Sequence, residues 1–329
     1  MNIYFLNLLF LVLSFLTIKY RSELCNYFNL IDYPNKELGI HKSKKILFGG
    51  IFLFLGIIYS YVLNVNSEYD RIYFSPILLI SFFLISLTDD IKNLNAYTRL
   101  VLTFFAALIS VYFDPSLRIN SLYIFFTDSI FFNTNIYFNY IFTILCILLL
   151  VNAFNFTDGI DGLASYIGIS YFIYLITKNN IIFFQYFIFI IFVLIFLYMN
   201  FKKNVLLGDS GNYLISISIA IIIIKINYYY PQSFYAEEIF LLLMIPGIDM
   251  LRLFIVRIKK GLNPFYGDHN HLHHKLFFKY GNKITLTVYL LIINIPLYIF
   301  FYFRELLAFL VIIKLFTYFG LLKFLSLNK

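Results

Sequence analysis

Asn152-Ala153-Phe154-Asn155-Phe156-Thr157-Asp158-Gly159-Ile160-Asp161-Gly162-Leu163 sets two carboxylates and two carboxamides between apolar runs at residues 136–152 and 162–178. A carboxylate near a bilayer costs several kcal/mol unless it is paired, hydrated or bound to a cation. An Asp pair in this setting therefore marks a functional site in a membrane protein. The chain on either side bears out the membrane half of that reading. Hydrophobic residues fill 61% of 329 positions and charged residues only 13%, with a mean hydropathy of +0.84. A water-soluble globule would have almost nothing polar left for its surface and is excluded.

Apolar runs able to cross roughly 30 Å of hydrocarbon recur about eleven times, near 1–19, 46–64, 72–88, 98–113, 136–152, 162–178, 180–200, 210–227, 238–257, 284–302 and 305–325. The expected fold is all-α: a polytopic membrane protein of about eleven transmembrane helices. The first run lacks a basic start and a small-residue cleavage site, so it is expected to be a retained span. The longest polar stretches, 20–45 and 257–283, are too short for a core of their own, and 1–329 reads as one integral-membrane domain. No inverted repeat of the transporter kind stands out. The loop at 114–135 suggests a small hairpin or a shallow helix.

Eleven spans would put Arg21, Lys36, Lys42, Lys44, Lys45, Lys92, Lys202, Lys203, Arg257, Lys259, Lys260, Lys275, Lys279 and Lys283 on one face, leaving little beyond Arg71, Arg118, Lys178 and Arg304 on the other. The positive-inside rule makes the first face cytoplasmic, with the N-terminus outside and the C-terminus in the cytoplasm. The net charge of +8 is thus mostly a topology signal. Such a face attracts anionic lipids and phosphorylated substrates, and nothing in the motifs supports nucleic-acid binding. Cys25 and Cys146, on the cytoplasmic side and in mid-span, imply no disulfide. The 42 Phe and 29 Tyr read as packing and lipid contact.

Four polar clusters share the cytoplasmic face: 89–93, 152–161, 208–212 and 268–274. All five histidines, His41 included, lie there too. One-sided convergence points to a cytoplasmic active site, since a permeation path needs polar groups at mid-depth. Asp249 and Lys314 are the only mid-span candidates, and each is close enough to an end to snorkel.

Asp89 and Asp90 are neighbours at a helix end, about 100° apart, and would do different work: one holding a cation or substrate group, the other taking a proton. Asp158 and Asp161 are spaced i, i+3, and each precedes a glycine that lets a ligand approach the backbone. If the stretch is helical, Asn152, Asn155, Asp158 and Asp161 form a hydrogen-bonding ladder for a sugar or nucleotide. Gly208-Asp209-Ser210-Gly211 reads as a tight turn with free backbone N–H groups and an Asp able to bind Mg²⁺. His271, His273 and His274 could ligate zinc. With no Cys beside them, contact with phosphate oxygens, shared with Arg257, Lys259 and Lys260, is the favoured alternative.

Carboxylates for a divalent metal and a basic, His-bearing loop on a lipid-embedded scaffold describe phosphoryl transfer from a soluble ester to a lipid acceptor. The motifs carry a resemblance: Asp89-Asp90-x-x-Asn93, Asn152-x-x-Asn155-x-x-Asp158-Gly-x-Asp161-Gly-Leu-Ala164, Asn200-Phe201 leading into Gly208-Asp209-Ser210-Gly211, and Pro264-Phe265-x-x-Asp268-x-x-His271-Leu-His273-His274. In order and in sum they resemble the polyprenyl-phosphate N-acetylhexosamine-1-phosphate transferases, of the branch priming O-antigen, teichoic-acid or glycan synthesis. Ile31-Asp32-Tyr33-Pro34-Asn35, with His41 and Gly49-Gly50, resembles that family's first cytoplasmic loop.

The resemblance implies an enzyme of the bacterial cytoplasmic membrane that moves a sugar-1-phosphate from a UDP-N-acetylhexosamine to undecaprenyl phosphate, releasing UMP. It implies Mg²⁺ or Mn²⁺ as cofactor, with Asp209 as ligand and Asp89 assisting. Asp89, Asp90, Asp158, Asp161, His271, His273 and His274 would be catalytic; Asn152, Asn155, Arg257, Asp268 and His41 would bind substrate. The bilayer is the remaining partner, and a homodimer is the assembly to test for. The nearest alternative is a phospho-MurNAc-pentapeptide transferase of peptidoglycan synthesis. An aromatic prenyltransferase, which has no His loop, and a lipid transporter are more remote.

Overall fold

The computed structural model describes residues 3–33, 43–64, 75–132, 134–179, 183–202, 205–265 and 268–327. His41, with Pro34 and Asn35, lies outside the described residues. Each of the eleven apolar runs overlaps a helix of 16 residues or more. α1 (Ile3–Lys19) and the short α2 (Arg21–Tyr27) form a pair bent by 73°. α3 (Gly49–Asn64), α4 (Pro76–Lys92), α5 (Ala96–Phe113), α6 (Ile136–Asn155), α7 (Leu163–Lys178) and α8 (Phe183–Lys202) follow. α9 (Gly208–Tyr229), α10 (Ala236–Lys259), α11 (Leu272–Tyr302) and α12 (Leu307–Leu327) complete the order. Among the described residues six helices are long and apolar enough to cross a membrane unaided, or seven if the bent pair is one span.

α9 is the axis of the bundle. It packs on α3, α4, α6 and α7, and 94% of its apolar window is buried within the protein. Enclosure explains how a single helix tolerates Ser216, Ser218, Lys225 and Asn227, all of them buried: its surroundings are side chains and not lipid. Lys225 reaches Asp114 at 2.8 Å. The entry of α3 fits against the start of α9 so closely that a Cβ on Gly50 would lie 1.9 Å from Ser210 Oγ, which is why glycine is required there.

Mid-helix charge differs from the snorkelling expectation. Lys314 is 1% exposed, and its ammonium donates to the Leu241 carbonyl at 2.7 Å. Asp249, 4% exposed, accepts hydrogen bonds from Arg252 Nη2 at 2.7 Å and Tyr318 at 2.5 Å. Burial beside specific partners replaces escape to water, because a buried charge is tolerated only when hydrogen-bonded.

Short strands add to the all-α expectation. β1 (Ile31–Asp32) pairs antiparallel with β2 (Lys45–Leu47), and β2 runs parallel to β5 (Val205–Leu206). This sheet ties the first polar loop to the start of α9. The 114–135 loop takes the hairpin form: β3 (Ser121–Ile124) pairs antiparallel with β4 (Ser129–Phe132). Tyr123 stacks on Tyr235 with ring centroids 4.4 Å apart, and Glu237 accepts the Phe125 N–H at 3.0 Å.

Candidate active site

The polar clusters meet at one end of the bundle around a cavity of about 670 Å³. The turn after α4 shapes its first wall. Asn93 takes φ +50° and its N–H returns to the Asp89 carbonyl at 2.8 Å, closing the helix. Asn95 then caps α5, accepting the Thr98 N–H at 2.7 Å. So tight a reversal sets Arg99, in the first turn of α5, beside Asp89 in the last turn of α4.

The adjacent aspartates do point to different partners. Asp89 Oδ1 accepts the Leu94 N–H at 2.7 Å, and Oδ2 accepts from Arg99 Nη1 at 2.6 Å. The same Arg99 nitrogen donates to Asp209 Oδ2 at 3.0 Å. Asp90 instead caps α9 from outside: Oδ1 accepts the Asp209 N–H at 2.8 Å, and Oδ2 accepts the Ser210 N–H at 3.0 Å and the Ser210 hydroxyl. The backbone N–H groups expected to be free at Gly208-Asp209-Ser210-Gly211 are therefore already occupied, by a carboxylate suited to a helix N-terminus.

Residues 152–161 do not form one ladder. α6 ends at Asn155, and the chain turns through Phe156–Gly162 before α7 begins. Asn152 spends its amide on the Leu148 carbonyl of its own helix, at 2.7 Å, and lies outside the cavity lining. Asn155 lines the cavity and accepts from Asn212 Nδ2 at 3.0 Å, a bond joining α6 to α9. Asp161 is held by Lys45, whose ammonium reaches its two oxygens at 3.1 and 2.9 Å. Asp158 has the loop's most perturbed charge. Burial first, then the carboxylates of Asp90 and Asp161, push its pKa up to about 7.

The histidines divide. His271 Nδ1 is 2.8 Å from Asp249 Oδ2, and its ring stacks on Phe156 at 5.3 Å. His273 is 1% exposed, and its Nε2 has no hydrogen-bond partner among the described residues. Among the described histidines, only His274 and His269 line the cavity. His273 and His274 serve as a floor for the Asp loop, because a Cβ on Gly159 would meet His273 Nε2 at 2.3 Å and His274 Nε2 at 2.6 Å. Ligand atoms of Asp249, His271 and His273 lie within 4.8 Å of one another. Asp249 already accepts bonds from Arg252, Tyr318 and His271, so this trio reads as a hydrogen-bonded anchor and not as a zinc site. Arg257, 1% exposed, is not part of the cavity lining and bonds Pro264 O at 2.7 Å and the lining residue Asp268 at 3.2 Å. Although burial works against it, these Arg257 and Asn270 bonds hold Asp268 below the usual carboxylate range.

The structure thus brings together Asp89, Asp90, Asn155, Asp158, Asp161, Asp209, Asp268 and His274, and leaves Asn152, Arg257, His271 and His273 behind the wall. It adds Lys45, Arg99, Asn212, Asn200 and Asn282. Asn282 donates to the Asp161 carbonyl at 3.1 Å, and Asn200 to Val205 O at 2.6 Å. Arg99 was hidden by standing at the start of an apolar run, though an Arg in the first turn after an Asp-Asp helix end was a usable signal. Carboxylate oxygens dominate the cavity. Hard oxygen donors of that kind fit Mg²⁺ or Mn²⁺.

Residues 72–227 match the model of glycosyl transferase family 4. The chain is similar to proteins named undecaprenyl-phosphate alpha-N-acetylglucosaminyl 1-phosphate transferase. The one from Thermotoga maritima is 28% identical over 278 residues, covering 84% of this chain and 83% of that protein. Those from Escherichia coli K12 and Salmonella typhimurium are 24% and 26% identical, each covering 74% of this chain and 68% of the relative.

Proposed function

From the match of residues 72–227 to glycosyl transferase family 4, we propose that the chain acts as a transferase of that family, moving N-acetylhexosamine-1-phosphate from a UDP-sugar to undecaprenyl phosphate. The names of the relatives make N-acetylglucosamine the sugar to try first. An oxygen of the lipid phosphate attacks the sugar-bearing phosphorus, the bond to the UMP phosphate breaks, and undecaprenyl-diphospho-sugar and UMP result. The observation that carries this reading is a single cavity in which carboxylates from α4, α9 and the α6–α7 turn converge with Lys45 and His274.

In this reading Asp209 and Asp89 hold Mg²⁺ or Mn²⁺. When bound, the ion offsets phosphate charge and polarises the attacked phosphoryl group. The chain's own groups do the rest. Asp158, poised near neutrality, accepts a proton from the acceptor phosphate as it enters. Lys45 neutralises Asp161, which lowers the repulsion that the donor's diphosphate would meet. His274 and His269 offer ring N–H groups to phosphate oxygens. Asn155, braced from behind by the buried Asn212 amide, offers its own amide to the nucleotide sugar. His41, beyond the described residues, is assigned to the same substrate loop. We place the cavity on the cytoplasmic side of an eleven-span protein in the bacterial inner membrane, with the N-terminus outside, following the Lys and Arg distribution.

The test is UMP release by purified protein given undecaprenyl phosphate and a panel of UDP-N-acetylhexosamines. Release should require both substrates and a divalent cation. No release with any donor, while a control transferase works, would overturn the assignment. Asp209→Asn should lower kcat at least about a thousandfold in a protein with unchanged melting behaviour; activity within a few-fold of the parent would remove Asp209 from the ion.

A further inference from the structure

Arg99 stands where the proposed ion would act. One nitrogen, Nη1, holds Asp89 Oδ2 and Asp209 Oδ2 at 2.6 and 3.0 Å, although the two carboxylates come from different helices, α4 and α9. Without a cation between them, two carboxylates this close would repel. The guanidinium therefore supplies between these carboxylates the positive charge that a metal would supply there. The contact is also of a kind that can open. It uses a single nitrogen, lacking the parallel two-bond fork that makes Arg–carboxylate pairs strong. The Arg99 side chain is 20% exposed and is attached in the first turn of α5, at the rim of the bundle. Asp89, by contrast, stays fixed from its other side by the Leu94 N–H.

We propose that Arg99 is a positioning residue: a built-in counter-ion that keeps Asp89 and Asp209 in register and is displaced when a divalent cation binds them. The inference rests on the assignment of the ion to these two carboxylates. It makes the affinity for metal a competition between an internal monovalent cation and an external divalent one. Removing Arg99 should thus tighten metal binding even as it removes a group from the site.

The probe is Mn²⁺ alone, titrated into the detergent-solubilised full chain without substrate and followed by the electron paramagnetic resonance signal of free Mn²⁺. Arg99→Gln should bind Mn²⁺ at least tenfold more tightly than the parent, about 1.4 kcal/mol. Arg99→Lys, whose ammonium retains the charge without the planar fork, should fall between the two. It also serves as the readout should the Gln variant fail to fold. Equal or weaker binding in Arg99→Gln, or in Arg99→Lys where that alone is folded, overturns the proposal. Asp209→Asn separates the two readings: if it binds Mn²⁺ as the parent does, or if the parent binds none, the ion assignment fails and the Arg99 proposal with it. If Asp209→Asn loses binding while Arg99→Gln matches the parent, the assignment stands and only the counter-ion role falls.

Discussion

Asp158 is the residue whose charge the fold holds least comfortably. Burial, then the neighbouring carboxylates, push its carboxyl from an ordinary value of 3.8 up to about 7. Between those values the native state carries a proton that the unfolded state lacks, so Asp158 adds stability fully present below about pH 4 and lost as pH rises through about 7. Metal-free protein should therefore melt at falling temperature over that window, by roughly 1.4 kcal/mol per pH unit at most. Asp158→Asn should flatten the decline and melt higher than the parent near pH 8; identical slopes would show that Asp158 does not titrate there. The conspicuous aspartates were legible in the sequence because a carboxylate among apolar residues has few explanations. Their partners were not. Lys45 and Arg99 look like ordinary loop and rim cations until tertiary contact sets them on Asp161 and on the Asp89–Asp209 pair.

Between elements, the turn from α6 to α7 transmits the His floor to the carboxylates. A helical ladder through 152–161 was a reasonable expectation from i, i+3 spacing, but the helix ends at Asn155 and the glycine at 159 lets the turn settle onto His273 and His274. Gly159→Ala should force the turn or the rings to move and lower kcat by roughly a hundredfold, as angstrom-scale misplacement does. Gly247→Ala is the control: nothing lies within 4 Å of its added Cβ, so activity should stay within twofold while stability rises by up to about 1 kcal/mol. Equal losses in both would mean that α10 and the turn are equally sensitive and that contact with the rings is irrelevant. The α11 entry that carries these histidines breaks at Gly281, with φ +76°, and so forms a short arm apart from the rest of α11. No periodicity in the sequence announced that break, since a glycine inside an apolar pattern is common.

For the whole molecule, the apolar runs made the helices easy to find, whereas the β1–β2–β5 sheet was invisible: strands of two or three residues leave no alternating pattern to read. Sidedness remains a matter for chemistry. With Cys25 and Cys146 replaced by Ser, Thr127→Cys in the β3–β4 hairpin should react with an impermeant maleimide in intact cells, and Lys260→Cys only after permeabilisation. Reaction of both from the same side would overturn the proposed topology. The enclosure of α9 has a consequence for how the protein is made. The helices that surround it most, α3, α4, α6 and α7, all precede it in the chain, so its socket is synthesised before it is. A segment bearing Lys225, Asn227 and several serines would enter lipid poorly alone, yet it can leave the ribosome straight into protein. Membrane integration of the helix that carries Asp209 thus depends on the order of translation, and truncating the chain before α10 should still leave α9 inserted.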